Sequence, residues 1–175
     1  MGYFARMDGH VDQRLLVPRE DVIAALQKSF DDWQARLAAL GEDEICARPA
    51  AGGWSLKDVL AHLNAWQQLS IARLEAALHG REPHYPDWIS GGPEDEGMLE
   101  VYNQRIYERC ASQGWPEVRT RWQNDFTHFL QLAALLSEED LKAQGKYAWM
   151  EGYPLLAVLF GSLEHHNEHL APASG

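Results

Sequence analysis

Apolar residues recur every three or four positions along most of this chain, and no segment alternates apolar and polar residues between hairpin turns. That period can only be buried by packing helix against helix, so it sets the fold class before any other feature is read. Val22, Leu26, Phe30, Trp33, Leu37 and Leu40 predict a first helix from Pro18 to Leu40, with Pro18 in the first turn and Gly41 as its stop. Residues 42–53, which contain Pro49, Gly52 and Gly53, read as a loop. Ser55 and Asp58 form a capping box that opens a second helix. This helix carries Leu56, Val59, Leu60, Leu63, Trp66, Leu69 and Leu74 and ends at His79-Gly80. A long connection, 81–97, follows, then helical patterns over 98–112 and 116–136. Ser137 to Asp140 repeats the capping-box pattern and starts a short helix; Pro154 begins the last helix, which ends near Leu170. The expected fold is all-α: a four-helix bundle with extra short helices and no internal repeat.

A chain of 175 residues is long enough for one domain with its own core. Residues 17–175 are expected to form it, with 1–16 as a flexible N-terminal arm. The formal charge of −11 argues against a nucleic-acid surface and against docking to anionic membranes. No apolar run approaches the roughly 20 residues of a membrane span. The first residues lack the apolar stretch and cleavage site of a secretory signal, so a cytoplasmic protein is expected. Cys46 and Cys110 form no CxxC motif and read as reduced thiols. Trp54, Trp88, Trp115 and Trp149 fall in Gly- and Pro-flanked segments, where aromatics wall pockets or anchor loops.

Three histidines carry the chemistry. His165 and His169 are four residues apart, so on a helix they share a face, in line with Leu155, Val158 and Ser162. Two such imidazoles can grip one transition metal. A third, from His62, would leave an open coordination position. His166 lies about 100° away around the helix and is not expected to join them. His62 is seven residues past Ser55, about 10 Å along its helix, whereas His165 and His169 lie about 16 and 22 Å past Pro154. All three meet near one end of the bundle only if the second and last helices are antiparallel. The second and third main helices must then run the same way, with the 81–97 connection as the crossover.

At these residues the chain resembles the DinB/YfiT-like superfamily and, within it, the ClbS/DfsB branch. The resemblance rests on Gly53-Trp54-Ser55-Leu56-Lys57-Asp58-Val59-Leu60-Ala61-His62-Leu63 and on Glu164-His165-His166-Asn167-Glu168-His169. It spans roughly Val17 to Leu170. It implies an up-down-down-up bundle and a divalent metal, zinc or nickel, held at His62, His165 and His169. It also implies chemistry on a small electrophile, by transfer of a low-molecular-weight thiol or by hydrolysis, of a detoxification or self-resistance type. One member of the branch hydrolyses an electrophilic cyclopropane; it has Tyr at the position of His62 and lacks the HxxxH pair, so its chemistry is not carried over. Asn103, Tyr102 and Trp149 are the candidate pocket-lining residues, with helix surface and core packing as the alternative for Asn103 and Tyr102. The alternative is a non-catalytic bundle that sequesters a small molecule and uses the histidines structurally. A homodimer through one bundle face is a further alternative.

Overall fold

The computed structural model describes residues 13–49, 53–89 and 96–170. The expected arm therefore lies outside the described residues, apart from a 3-10 turn at Gln13–Leu16. Within that turn Leu15 packs against the core, and Arg14 lies 3.8 Å from Glu164. Among the described residues seven α-helices follow: α1 (Arg19–Ala38), α2 (Glu42–Cys46), α3 (Leu56–His79), α4 (Leu99–Cys110), α5 (Trp115–Leu135), α6 (Glu138–Lys142) and α7 (Leu156–Leu170). There is no strand among the described residues. Among the described residues no helix is long and apolar enough to cross a membrane.

Side-chain hydrogen bonds fix the helix directions. Ser29 donates to Asn167, and Arg36 to the carbonyl of Leu170, so α1 and α7 run parallel. Asn64 donates to Asp125, and His128 lies 3.1 Å from Glu75, so α3 and α5 also run parallel. Arg19 reaches the carbonyl of Leu136 while Gln123 donates to Gln34, which sets α1 antiparallel to α5. The bundle is therefore up-down-down-up through α1, α3, α5 and α7. The crossover uses more than the long connection. Lys57 donates to the carbonyl of Gln113 and Trp66 to Asn103, so α4 runs back antiparallel along α3 and delivers the chain to the start of α5.

The stripes predicted on α1 and α5 are the core. Trp33, Trp122, Phe126 and Phe129 are fully buried, each contributing about 2–3 kcal/mol through lost apolar exposure. Phe30 stacks on Phe126 at 4.7 Å. A second cluster, Trp66, Leu69, Trp88, Tyr102 and Ile106, fills the space between α3 and α4. Because α3 has neighbours on nearly every side, its polar Asn64, Gln67, Ser70 and Arg73 are buried together with its apolar stripe.

Local signals act largely where the sequence puts them. Ser55 Oγ accepts the Asp58 N–H, and Asp58 accepts the Ser55 N–H in return. Gly80 takes the left-handed conformation, φ 61°, that ends α3. Ser137 accepts the Asp140 N–H at the start of α6. The exception is Gly41. It is not the stop of α1, which ends at Ala38. Instead Gly41 precedes α2, and its N–H donates to Glu44 at 2.8 Å. The segment expected to be loop thus begins with a helical turn, held by three acids at its N-terminus and by Ile45 in the core.

Candidate metal centre

The capping box starts α3 at a fixed residue and thereby sets the height of His62, two turns in. The other end of the site is set by Arg36, whose guanidinium donates to the carbonyls of His169 and Leu170 and closes the last turn of α7. Trp33 adds a buried bond from Nε1 to the carbonyl of His166. The residues that hold α7 against α1 therefore also aim His165 and His169 at α3.

His62, His165 and His169 come together there. Their ligand nitrogens all lie within 4.8 Å of one another. The ring centroids are 4.9 Å apart for His62 and His165, 5.2 Å for His62 and His169, and 5.1 Å for His165 and His169. His62 Nε2 and His165 Nε2 are 2.9 Å apart. Two nitrogens bound tetrahedrally at zinc distances are about 3.3 Å apart, so an ion is seated by opening this pair by only about half an ångström. His62 Nδ1 is buried without a hydrogen-bond partner. A proton on that atom leaves Nε2 bare and facing the other two rings, which is the ligand tautomer.

Burial pushes the His62 pKa down to about 3, with the neighbouring imidazoles adding to the shift. Burial lowers His165 and His169 as well. All three rings are therefore neutral near pH 7, the form that binds a metal. His166 is separate, as its angular position predicts. Its Nδ1–H donates to the Ser162 carbonyl at 2.8 Å, its ring lies 4.9 Å from Phe126, and burial lowers its pKa to about 4.

The expected pocket residues divide. Asn103 accepts a hydrogen bond from Trp66 Nε1 at 3.1 Å, and the Trp66 ring lies 6.3 Å from His62, so Asn103 holds an aromatic ring near the histidine cluster. Tyr102 is fully buried with its ring 6.1 Å from Trp88, which is a packing position between α3 and α4. Trp149 is half-buried on a 3-10 turn, against Tyr147. Two aromatics lie nearer the histidines: Trp54, one of the four tryptophans read as pocket wall or loop anchor, and Tyr107, which the sequence does not mark for the pocket. Trp54 lies 5.0 Å from the His62 ring, and Tyr107 is nearly parallel to Trp54 at 6.3 Å. Trp54 sits just before the helix cap, a position from which a side chain turns back over the first turns of its helix. Tyr107 depends on the docking of α4, for which the sequence carries no comparable signal. Cys46 and Cys110 are free, as expected.

Fold and site together define a four-helix-bundle protein with a three-histidine cluster at one end. The sequence profile of the DinB superfamily matches residues 25–172, and the chain belongs to that superfamily. Among solved structures it is similar to the Sibling Lethal Factor Precursor DfsB, with 16% identity, a TM-score of 0.72 and coverage of 87% of this chain and 90% of the other. An uncharacterised protein from Escherichia coli UTI89 gives 15% identity and a TM-score of 0.71 over 89% and 91%. The colibactin self-resistance protein ClbS, solved with double-stranded DNA, gives 15% and 0.61 over 90% and 99%. These likenesses place the chain among ClbS- and DfsB-type bundles by fold. Over 75 residues the chain is also 35% identical to the acetyl-coenzyme A carboxylase carboxyl transferase subunit alpha of Nitrobacter winogradskyi. That match takes in 41% of this chain and spans about a fifth of the curated protein's length.

Proposed function

We propose that this protein is a metal-dependent enzyme that acts on a small electrophilic molecule, by thiol transfer or by hydrolysis. The observation that carries this reading is the convergence of His62, His165 and His169 from two antiparallel helices, with ligand nitrogens within 4.8 Å. Three neutral nitrogen donors suit zinc or nickel better than a hard, oxygen-seeking ion. When bound, such an ion supplies Lewis acidity at an open coordination position and so activates a water or thiol nucleophile near neutral pH. The chain's own residues do the rest. Arg36 and Trp33 hold the HxxxH turn in place, and the capping box sets the height of His62. Trp66, held by Asn103, and Trp54 shield His62 from solvent and strengthen electrostatics there.

A second reading has its own support. At 2.9 Å, His62 and His165 also make a normal hydrogen bond between neutral imidazoles, as a sequestering bundle with structural histidines would. Nucleic acid is not the proposed partner, because the net charge is −11. Turnover separates the two readings. Metal-loaded protein is assayed with epoxide, enone and alkyl-halide electrophiles, each with water alone and with low-molecular-weight thiols. Catalysis abolished by His165→Ala supports the enzyme. Stoichiometric binding of an electrophile without turnover supports sequestration.

A further inference from the structure

One side of the histidine cluster continues outward as a ladder of flat groups. Trp54 lies 5.0 Å from the His62 ring, Tyr107 lies nearly parallel to Trp54 with an interplanar angle of 10°, and the Arg48 guanidinium sits 5.3 Å over Tyr107. Trp54 and Tyr107 are half-buried, so part of each residue faces water. Arg48 is exposed, and its contact is with the Tyr107 ring; it has no carboxylate partner among the described residues. Many of the other described cations of this chain do pair with an acid. Arg19, Lys28, Arg109 and Arg121 each lie within 3.2 Å of an acid. Lys57 adds a second positive charge at this end of α3, with its ammonium at the carbonyl of Gln113, just beyond α4. An acidic protein has thus left a cation unpaired on the aromatic wall of its candidate site.

We propose that Trp54, Tyr107 and Arg48 form a recognition subsite for a planar, negatively charged group, of the aromatic or conjugated carboxylate class, on the substrate of the neighbouring centre. This rests on the enzyme reading above. A flat group adds to the solvent side of this ladder by offset or edge-to-face contact, which favours planar molecules. The guanidinium supplies a charge-assisted bond to a carboxylate and repels cations. A molecule held there by its flat end has its remaining atoms beside His62 and the histidine cluster. The two rings select shape and the arginine selects charge.

Three probes of one shape test this on the full chain by titration calorimetry: 2-naphthoate, the neutral 2-naphthamide and the cationic 2-naphthylmethylammonium. Naphthoate is expected to bind about tenfold more tightly than the amide, and the ammonium most weakly. Arg48→Gln, on an exposed side chain, keeps the fold and erases the naphthoate preference while leaving amide binding unchanged. Trp54→Leu weakens naphthoate and amide alike. Equal affinity for all three probes overturns the proposal. So does full naphthoate affinity in Arg48→Gln, which would place the carboxylate on the metal instead. A single-stranded oligonucleotide that outcompetes naphthoate through Arg48 would overturn the small-molecule assignment. Metal content is measured in the same samples. Metal present without charge preference sinks this subsite alone. Metal absent sinks the enzyme reading, while the probe series still reads the subsite, because none of its three residues is a ligand.

Discussion

His166 offers a quantitative check on how the interior of this end is built, because it is buried at 1% exposure and stands apart from the three-histidine cluster. Its folded pKa is lowered from 6.5 to about 4 by burial, against the opposing effect of its bond to the Ser162 carbonyl. Between those values the unfolded chain carries the proton and the folded chain does not. Stability from this group is therefore complete above pH 6.5 and is lost as pH falls toward 4. From pH 7 to pH 5 the loss is about 2 kcal/mol, a large share of the 5–15 kcal/mol typical of a domain. The perturbation is His166→Phe, an apolar ring placed against Phe126 and freed from the titration. Urea unfolding of chelator-treated protein, followed by circular dichroism at both pH values, gives the four stabilities. Carboxylates, and the three cluster histidines whose pKa values burial also depresses, titrate in both proteins, so the difference between the two pH-dependent losses reports His166. The variant is expected to lose about 2 kcal/mol less than the parent. Equal losses, or a parent whose stability holds steady to pH 5, would refute the assignment of His166 as a buried neutral imidazole.

Other consequences are simpler to read. Ser55→Ala removes the acceptor for the Asp58 N–H and should lower stability by about 1 kcal/mol in denaturant unfolding. Trp33→Phe removes the Nε1–H that donates to the His166 carbonyl and leaves a small void; a loss of about 2 kcal/mol and weakened metal retention are expected, because α7 is held there. Zinc at about a hundredfold excess over its dissociation constant should stabilise the fold by about 3 kcal/mol in the same assay, and His169→Ala should abolish that gain. A variant that keeps the gain would exclude His169 as a ligand.

The helical period of α1 and α5 is visible in the sequence because each buries one stripe and exposes the rest. It is less visible in α3, where Asn64, Gln67, Ser70 and Arg73 are interior although polar. Those positions are buried by tertiary neighbours, and a one-dimensional pattern carries no record of neighbours. Of the site residues, His62, His165 and His169 were legible because helix geometry ties spacing to direction, and their convergence needed only one assumption about topology. The short helix after Gly41 was hidden because its single apolar anchor, Ile45, makes no periodic pattern. For Tyr102 the sequence leaves pocket lining and core packing both open. The angle at which α4 docks turns Tyr102 inward and brings Tyr107 to the histidine end instead.

Metal content of tag-free protein tests the central claim most directly. Protein purified with zinc or nickel available and then desalted should retain about one ion per chain, as three nitrogen ligands and an open position require. His62→Ala, His165→Ala and His169→Ala should each lose it, while His166→Phe, whose ring faces Phe126 and not the cluster, should keep it. Parent protein without bound metal, or retention of the ion in all three alanine variants, would contradict the account.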